Sequence, residues 1–201
     1  MFLFLDVVSP IPEFHIIDDK KIIYSVKIID NADQKLSDHI IPTYLKINNV
    51  YKLSKNIKKL IITIGPGSYT ALRVGSSFIA GLSYSMNLPV SVISTETIYK
   101  YLNYPNLQIG IYFESSNNQK FFSYKKDLDF YHHKIENNKY SIPEFVSLVF
   151  FNLNIPKFID NKIKLEAFSL KQIIINNLNL LEFSKDEIIK PIYISNNSIL
   201  N

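Results

Sequence analysis

The sequence predicts an α/β fold in two lobes, and three observations carry that prediction. Three short apolar segments, Phe2 to Val8, Glu13 to Ile17 and Lys21 to Ile29, follow one another with brief polar breaks, as strands of an antiparallel meander do. Helix-like and strand-like periodicities then alternate, giving the order β-β-β-α-β-α-β-α on a mixed sheet. From about Asn103 the texture changes to Tyr-, Asn- and Lys-rich polar stretches with fresh strand candidates. The expected division is therefore a first lobe over 1–102 and a smaller second lobe over 103–201.

Each element has a local reason. Asp18-Asp19 turns the second strand into the third. After the polar break Asp30 to Ser37, Asp38 to Leu53 carries Ile41, Tyr44 and Leu45 at helical spacing, weakened by Pro42 near its start. Leu60 to Ile64 is a short run rich in β-branched residues, and Gly65-Pro66-Gly67 punctuates it before a helical pattern: strand, tight turn, helix. Ser68 or Thr70 is the expected N-cap. Asn87-Leu88-Pro89 stops that helix, Val90 to Ile93 is a further strand, and Ser94-Thr95-Glu96-Thr97 opens a short helix. In the second lobe, Gln108 to Phe113 and Lys120 to Lys125 read as strands around the turn Ser115-Ser116-Asn117-Asn118. Ser141-Ile142-Pro143-Glu144 has the form of a capping box and predicts an apolar helix through Phe145, Leu148, Val149 and Asn152. Ser169 to Leu181 reads as another helix and Pro191 to Ile194 as a closing extended segment. No internal repeat is visible beyond the two lobes.

Composition narrows the chemistry. With no cysteine, the chain has no disulfide, thiolate nucleophile or Cys-ligated zinc. Met1-Phe2-Leu3-Phe4-Leu5-Asp6 lacks a basic n-region and meets an acid too early for a signal peptide, so a cytoplasmic protein is expected. Lys+Arg 22 against Asp+Glu 18 is too balanced to assign nucleic-acid binding on charge alone. His15, His39, His132 and His133 show neither H-E-x-x-H nor a carboxylate at metal-ligand spacing, and His132-His133 is expected at a solvated strand end or loop. Lys52, Lys55, Lys58 and Lys59 form the densest basic cluster, which a solvated face explains as well as phosphate contact does.

Four of the five glycines fall between Gly65 and Gly81. The helix they flank carries no charge after Arg73. Ala71, Gly75, Phe78, Ile79, Leu82 and Met86 form one apolar stripe, and Val74, Ser77, Gly81 and Ser85 form an adjacent stripe of mostly small residues. Two readings stand: a central helix buried on all sides in its own domain, or a helix that offers its second stripe to another chain. A helix of ~28 Å is hard to bury all round in a chain divided between two lobes, which favours the second. A membrane span is excluded by the serines and the Asn-Leu-Pro break. The glycine turn can be an anion site or purely structural; it lacks the Lys-Ser/Thr end of a P-loop, the G-x-G-x-x-G spacing, and the G-x-S-x-G elbow that would make Ser68 a nucleophile. Arg73 lies where the helix dipole disfavours a cation, so a compensating anion is expected: Glu96 or Asp6 within the chain, or an acid or phosphate across an interface.

Gly65-Pro66-Gly67-Ser68-Tyr69-Thr70-Ala71-Leu72-Arg73-Val74-Gly75, with Gly81-Leu82, Leu88-Pro89-Val90 and Ile93-Ser94-Thr95, closely resembles the G-P-G-S-[FY]-T-G-[LV]-R-[IV]-G signature of the bacterial TsaB (YeaZ) family. Phe4-Leu5-Asp6, Asp38-His39-Ile40-Ile41-Pro42, Gly110-Ile111-Tyr112 and Pro191-Ile192-Tyr193-Ile194 add weaker support. The resemblance implies an actin/Hsp70-like (ASKHA) fold with a reduced second lobe. It also implies a non-catalytic role in forming N6-threonylcarbamoyladenosine (t6A) at position 37 of tRNA. In that role the chain pairs with TsaD, and TsaE and ATP act on the pair; this chain alone binds no cofactor or metal. Tyr69, Arg73, Val74, Ser77, Phe78, Gly81 and Ser85, beside the turn Gly65, Pro66, Gly67 and Ser68, are the partner-interface residues so implied, and a homodimer is implied for the isolated chain. Two departures bear on chemistry: Asp6-Val7-Val8-Ser9 replaces the usual Asp-Thr-Ala or Asp-Thr-Ser, and Glu114 to Asn118 has no glycine. Neither loop then offers a phosphate cradle, which weighs against the alternative of an autonomous kinase- or protease-like enzyme; a tRNA-binding module is the other alternative.

Overall fold

The computed structural model describes residues 1–194 apart from 32, 138, 160 and 161. The first sheet is built as the meander predicts. β1 (Phe2–Asp6) pairs antiparallel with β2 (Glu13–Asp18), and β2 with β3 (Lys21–Lys27). On its other side β1 pairs parallel with β4 (Lys59–Gly65), and β4 with β5 (Val90–Ser94), giving the order β3-β2-β1-β4-β5. The second sheet repeats this winding strand for strand. β6 (Ile109–Glu114), β7 (Lys120–Lys126) and β8 (Asp129–Ile135) form the antiparallel arm, and β9 (Leu148–Phe151) and β10 (Lys164–Ala167) the parallel one. The duplication is topological and escaped the sequence pattern because the crossovers differ.

In the first lobe the crossovers are helical: α1 (Leu36–Tyr51) and the single turn α2 (Leu53–Asn56) lead to β4, and α3 (Tyr69–Met86) leads to β5. α4 (Thr95–Leu102) then leads to the second sheet. In the second lobe the corresponding crossovers contain no helix among the described residues. The helix expected from Ser141 is therefore a correction. Residues 140–147 are irregular, and Leu148, Val149 and Phe150 belong to a central strand buried on both faces. A short apolar run of this kind satisfies helical and buried-strand templates equally, and the β-prone Val-Phe-Phe sequence between two partner strands decides it. His132 and His133 are likewise interior to β8, not at a solvated end. The helix expected over Ser169 to Leu181 is α5 (Leu170–Asn176) followed by a 3-10 turn at Leu178–Leu180.

One apolar core runs through both sheets. Leu3, Leu5, Leu60 and Ile62 share it with Ile111, Phe113 and Phe121 of the second lobe, all at most 2% exposed. Burying such a side chain stabilises by about 1.5–3 kcal/mol, so this shared core is a strong bond between the lobes. The last segment crosses back over the expected lobe boundary: Leu170, Ile174, Leu178 and Leu181 join the same core. Ser184 then exchanges both backbone hydrogen bonds with Val90, at 2.8 and 3.0 Å, and the Ile192 N–H donates to the Ile64 carbonyl at 2.7 Å. The last described residues thus form a strap over the exit of β4.

Candidate partner-binding face

The Gly65-Pro66-Gly67-Ser68 turn is held from both sides. Gly65 has φ +112°, a conformation that favours glycine, and a Cβ there would lie 2.9 Å from the Ile192 carbonyl oxygen of the strap. The Ser68 N–H donates to Ser115 Oγ at 3.0 Å, a buried contact with the second lobe. All four residues are buried, so they shape the turn and present no side chain outward. Ser68 occupies the N-cap position of α3, but neither its hydroxyl nor that of Thr70 caps the helix, contrary to the expectation. The capping box belongs to α4, where Ser94 Oγ accepts from the Thr97 N–H at 3.1 Å and the Ser94 N–H reaches Thr97 Oγ1 at 3.4 Å.

α3 is neither free nor buried all round. Ala71, Leu72, Gly75, Ser76 and Ile79 are buried, and Gly75 allows Val7 to come so close that a Cβ would sit 2.6 Å from Val7 Cγ1. Val74 and Phe78 are half-buried towards α1, where Phe78 meets Tyr44 edge-on at 5.4 Å. Ser77, Gly81 and Ser85 are exposed, and no atom lies within 4 Å of a Cβ built on Gly81. The small-residue stripe therefore faces outward. Beside it, a groove of about 530 Å³ runs between α1 and α3, lined by Ser37, Ile40, Ile41, Tyr69, Thr70, Arg73, Val74, Ser77 and Phe78. Ile41 (55% exposed) and Leu45 (51%) extend its apolar wall.

At one end of that groove stands Arg73. Its guanidinium lies over the Tyr69 ring at 5.3 Å, and Nη1 donates to Tyr69 Oη at 3.4 Å. Tyr69 in turn packs on Tyr193 of the strap at 4.7 Å. The two intrachain acids expected to balance it are committed elsewhere. Glu96 pairs with Lys100 at 3.3 Å, and Asp6 accepts from the Val8 and Ser9 N–H groups, Ser9 Oγ and Thr63 Oγ1 at 2.6–3.2 Å. Among the described residues no carboxylate lies within ion-pair distance of Arg73.

Between the lobes a second cavity, about 150 Å³, is lined by Asp6, Ser9, Glu13, His15, Asn152, Phe168, Ser169, Leu170 and Lys171. That is well below the roughly 300–1,000 Å³ of ordinary ligand pockets. Burial pushes the Asp6 carboxyl up against four hydrogen bonds that pull it down, and pushes His15 down to about 4. Among the described residues no cluster of three or more His, Asp or Glu could hold a metal ion. His132 bonds Ser123 Oγ at 2.8 Å, and His133 stacks on Tyr124 at 5.6 Å. Lys59 lies over the Phe183 ring at 4.2 Å while Lys52, Lys55 and Lys58 are exposed. No helix among the described residues is long and apolar enough to cross a membrane.

A profile of the family described as TsaD, tRNA N6-adenosine threonylcarbamoyltransferase, matches residues 29–111, the stretch that carries α1, the turn and α3. The tRNA threonylcarbamoyladenosine biosynthesis protein TsaB of Bacillus subtilis (strain 168) is 31% identical over 49 residues, 24% of this chain and 21% of that protein. The aligned part thus spans about a fifth of that relative's length. In fold the likeness extends over nearly the whole chain. YeaZ from Pseudomonas aeruginosa superposes with a TM-score of 0.63 over 96% of this chain and 99% of its own, at 13% identity. A second structure, described as similar to peptidase YeaZ from Pseudomonas aeruginosa, matches with the same TM-score and coverage at 12% identity. The two mixed sheets with flanking helices form an α/β fold shared with YeaZ, which fits an ASKHA-like architecture. Signature, family profile and whole-chain fold together make this chain similar to the TsaB (YeaZ) proteins, in sequence over the stretch around α3 and in fold over nearly its whole length.

Proposed function

We propose that this chain is a non-catalytic subunit in t6A formation on tRNA. It pairs with a TsaD-type transferase across the outer face of α1 and α3, while TsaE and ATP act on the pair and tRNA is met through the complex. The observation that carries the reading is the exposed, small-residue stripe Ser77-Gly81-Ser85 beside an apolar groove, on a helix with no charge beyond Arg73. Small residues let a second helix approach closely, and an uncharged face loses little on desolvation. The cleft between the lobes supports a non-catalytic role, since it is small and Asp6 is consumed in local hydrogen bonds.

The test is reconstitution with the TsaD and TsaE proteins of the same organism, ATP and tRNA, reading complex formation by gel filtration and t6A by mass spectrometry of digested tRNA. The Gly81→Arg variant should fold, because its site is open, yet fail to pair and fail to support modification. Wild-type pairing by Gly81→Arg would move the interface elsewhere. The same face, without its partner, is proposed to pair two copies of the chain, which light scattering at increasing concentration reads directly.

A further inference from the structure

Arg73 is the only charge on α3, and among the described residues it has no counter-ion, at the positive end of the helix dipole. We infer that Arg73, Tyr69 and Tyr193 form a receptor for one carboxylate side chain of the partner, and that this receptor selects which partner helix the groove accepts. The inference rests on the pairing reading above and adds the chemistry of recognition to it.

Three observations carry it. The guanidinium is pre-placed: it rests on the Tyr69 ring at 5.3 Å and commits one donor to Tyr69 Oη, leaving the rest of its fork for an incoming acceptor. Tyr69 is itself fixed by the 4.7 Å contact with Tyr193, and Tyr193 is tied down through the adjacent Ile192, whose N–H bonds the Ile64 carbonyl at 2.7 Å. The receptor is thus assembled from the start of α3 and the end of the described chain. Its surroundings make a charge matter: Ile40, Ile41, Val74 and Phe78 line the groove next to Arg73, so a helix seated there excludes water from the pair.

The chemistry selects a carboxylate over a polyanion. Nucleic-acid backbones are held by several cations in a row, whereas Arg73 is the groove's only one. A single acid on an otherwise small and apolar helix face fits both the charge and the groove.

Titration calorimetry of the full chain with the TsaD-family protein of the same organism tests this. Arg73→Ala should weaken binding at least thirtyfold, the low end of what truncating one member of a desolvated charge pair costs (about 2 kcal/mol), with Arg73→Lys falling between. Tyr193→Ala should weaken it several-fold and Tyr193→Phe restore it, because the ring and not the hydroxyl makes the contact. Raising sodium chloride from 50 to 500 mM should weaken the wild-type complex more than the Arg73→Ala complex. Gly81→Arg separates the two readings. If it abolishes binding while Arg73→Ala binds as wild type, the face stands and the receptor falls; if it binds as wild type, the pairing reading falls and the receptor with it. A melting temperature lowered by several degrees in Arg73→Ala with normal binding would make Arg73 a structural residue and overturn the inference. Unchanged binding by Tyr193→Ala would remove the strap from the receptor.

Discussion

Gly75 and Gly81 lie six residues apart on α3, and the same substitution to alanine should move stability in opposite directions at the two. At Gly81 a methyl group meets nothing within 4 Å, so only the backbone term acts: alanine is better than glycine in a helix by about 0.8–1.0 kcal/mol. For a chain of this size that is a rise of about 2–4 °C in melting temperature. At Gly75 the same gain is opposed by sterics. The new Cβ would lie 2.6 Å from Val7 Cγ1 and 3.2 Å from Cγ2, about 1 Å inside ordinary carbon contact. Val7 is fully buried and β-branched, so it has no alternative rotamer at low cost. Overpacking of this kind costs about 1–3 kcal/mol, leaving Gly75→Ala destabilised by up to about 2 kcal/mol. Urea unfolding followed by circular dichroism measures both. In a Val7→Ala background, where the clashing methyls are gone, Gly75→Ala should become stabilising, a coupling of about 1–3 kcal/mol in the double-mutant cycle. If Gly75→Ala alone stabilised the chain as much as Gly81→Ala does, the close seating of α3 on Val7 would be refuted.

Ser115→Ala should cost about 1–3 kcal/mol, because the Ser68 N–H loses its acceptor in a buried site, and hydrogen exchange should rise at Ser68; unchanged stability would show that this contact does not hold the lobes. Stability should also fall with acidification. Burial lowers His15 and His132 to about 4, below the ordinary 6.5, so the folded state favours the neutral ring; the stability is full above about pH 6.5 and is lost as pH drops towards 4. For His15 the loss between pH 7 and 5 is about 2 kcal/mol, and His15→Gln should flatten that slope in urea titrations. Asp6, whose carboxyl is raised, opposes this trend at the acid end.

Most of the first lobe was legible because its residues report on themselves. The meander alternates with polar turns, the β4 run is short and β-branched, and Gly65-Pro66-Gly67 and Asn87-Leu88-Pro89 bracket α3 unmistakably. The second lobe was harder for a physical reason. Its crossovers have shed their helices, so segments such as Leu148–Phe151 stand among irregular chain with no neighbouring periodicity to identify them. Periodicity separated the stripe of Phe78 from that of Gly81, and the structure leaves the second one outward; what it could not give is the cover of Phe78 by Tyr44 of α1. The role of Tyr193 depended on a contact across 124 residues, from 69 to 193, and only a closing extended segment was readable there.

The unequal halves of the molecule set a limit on assembly. Both sheets are wound alike, yet among the described residues only the first carries long crossover helices with a groove between them; the second lobe's equivalent positions hold irregular chain and a cluster of tyrosine and phenylalanine rings. A duplicated fold with two equivalent helix-lined surfaces would be divalent, and divalent subunits can string together into filaments when the joining rotation does not close. On the pairing proposed above, a single helix-lined surface would make a subunit of valence one. Through such a surface it would end an assembly or complete a pair rather than extend a chain.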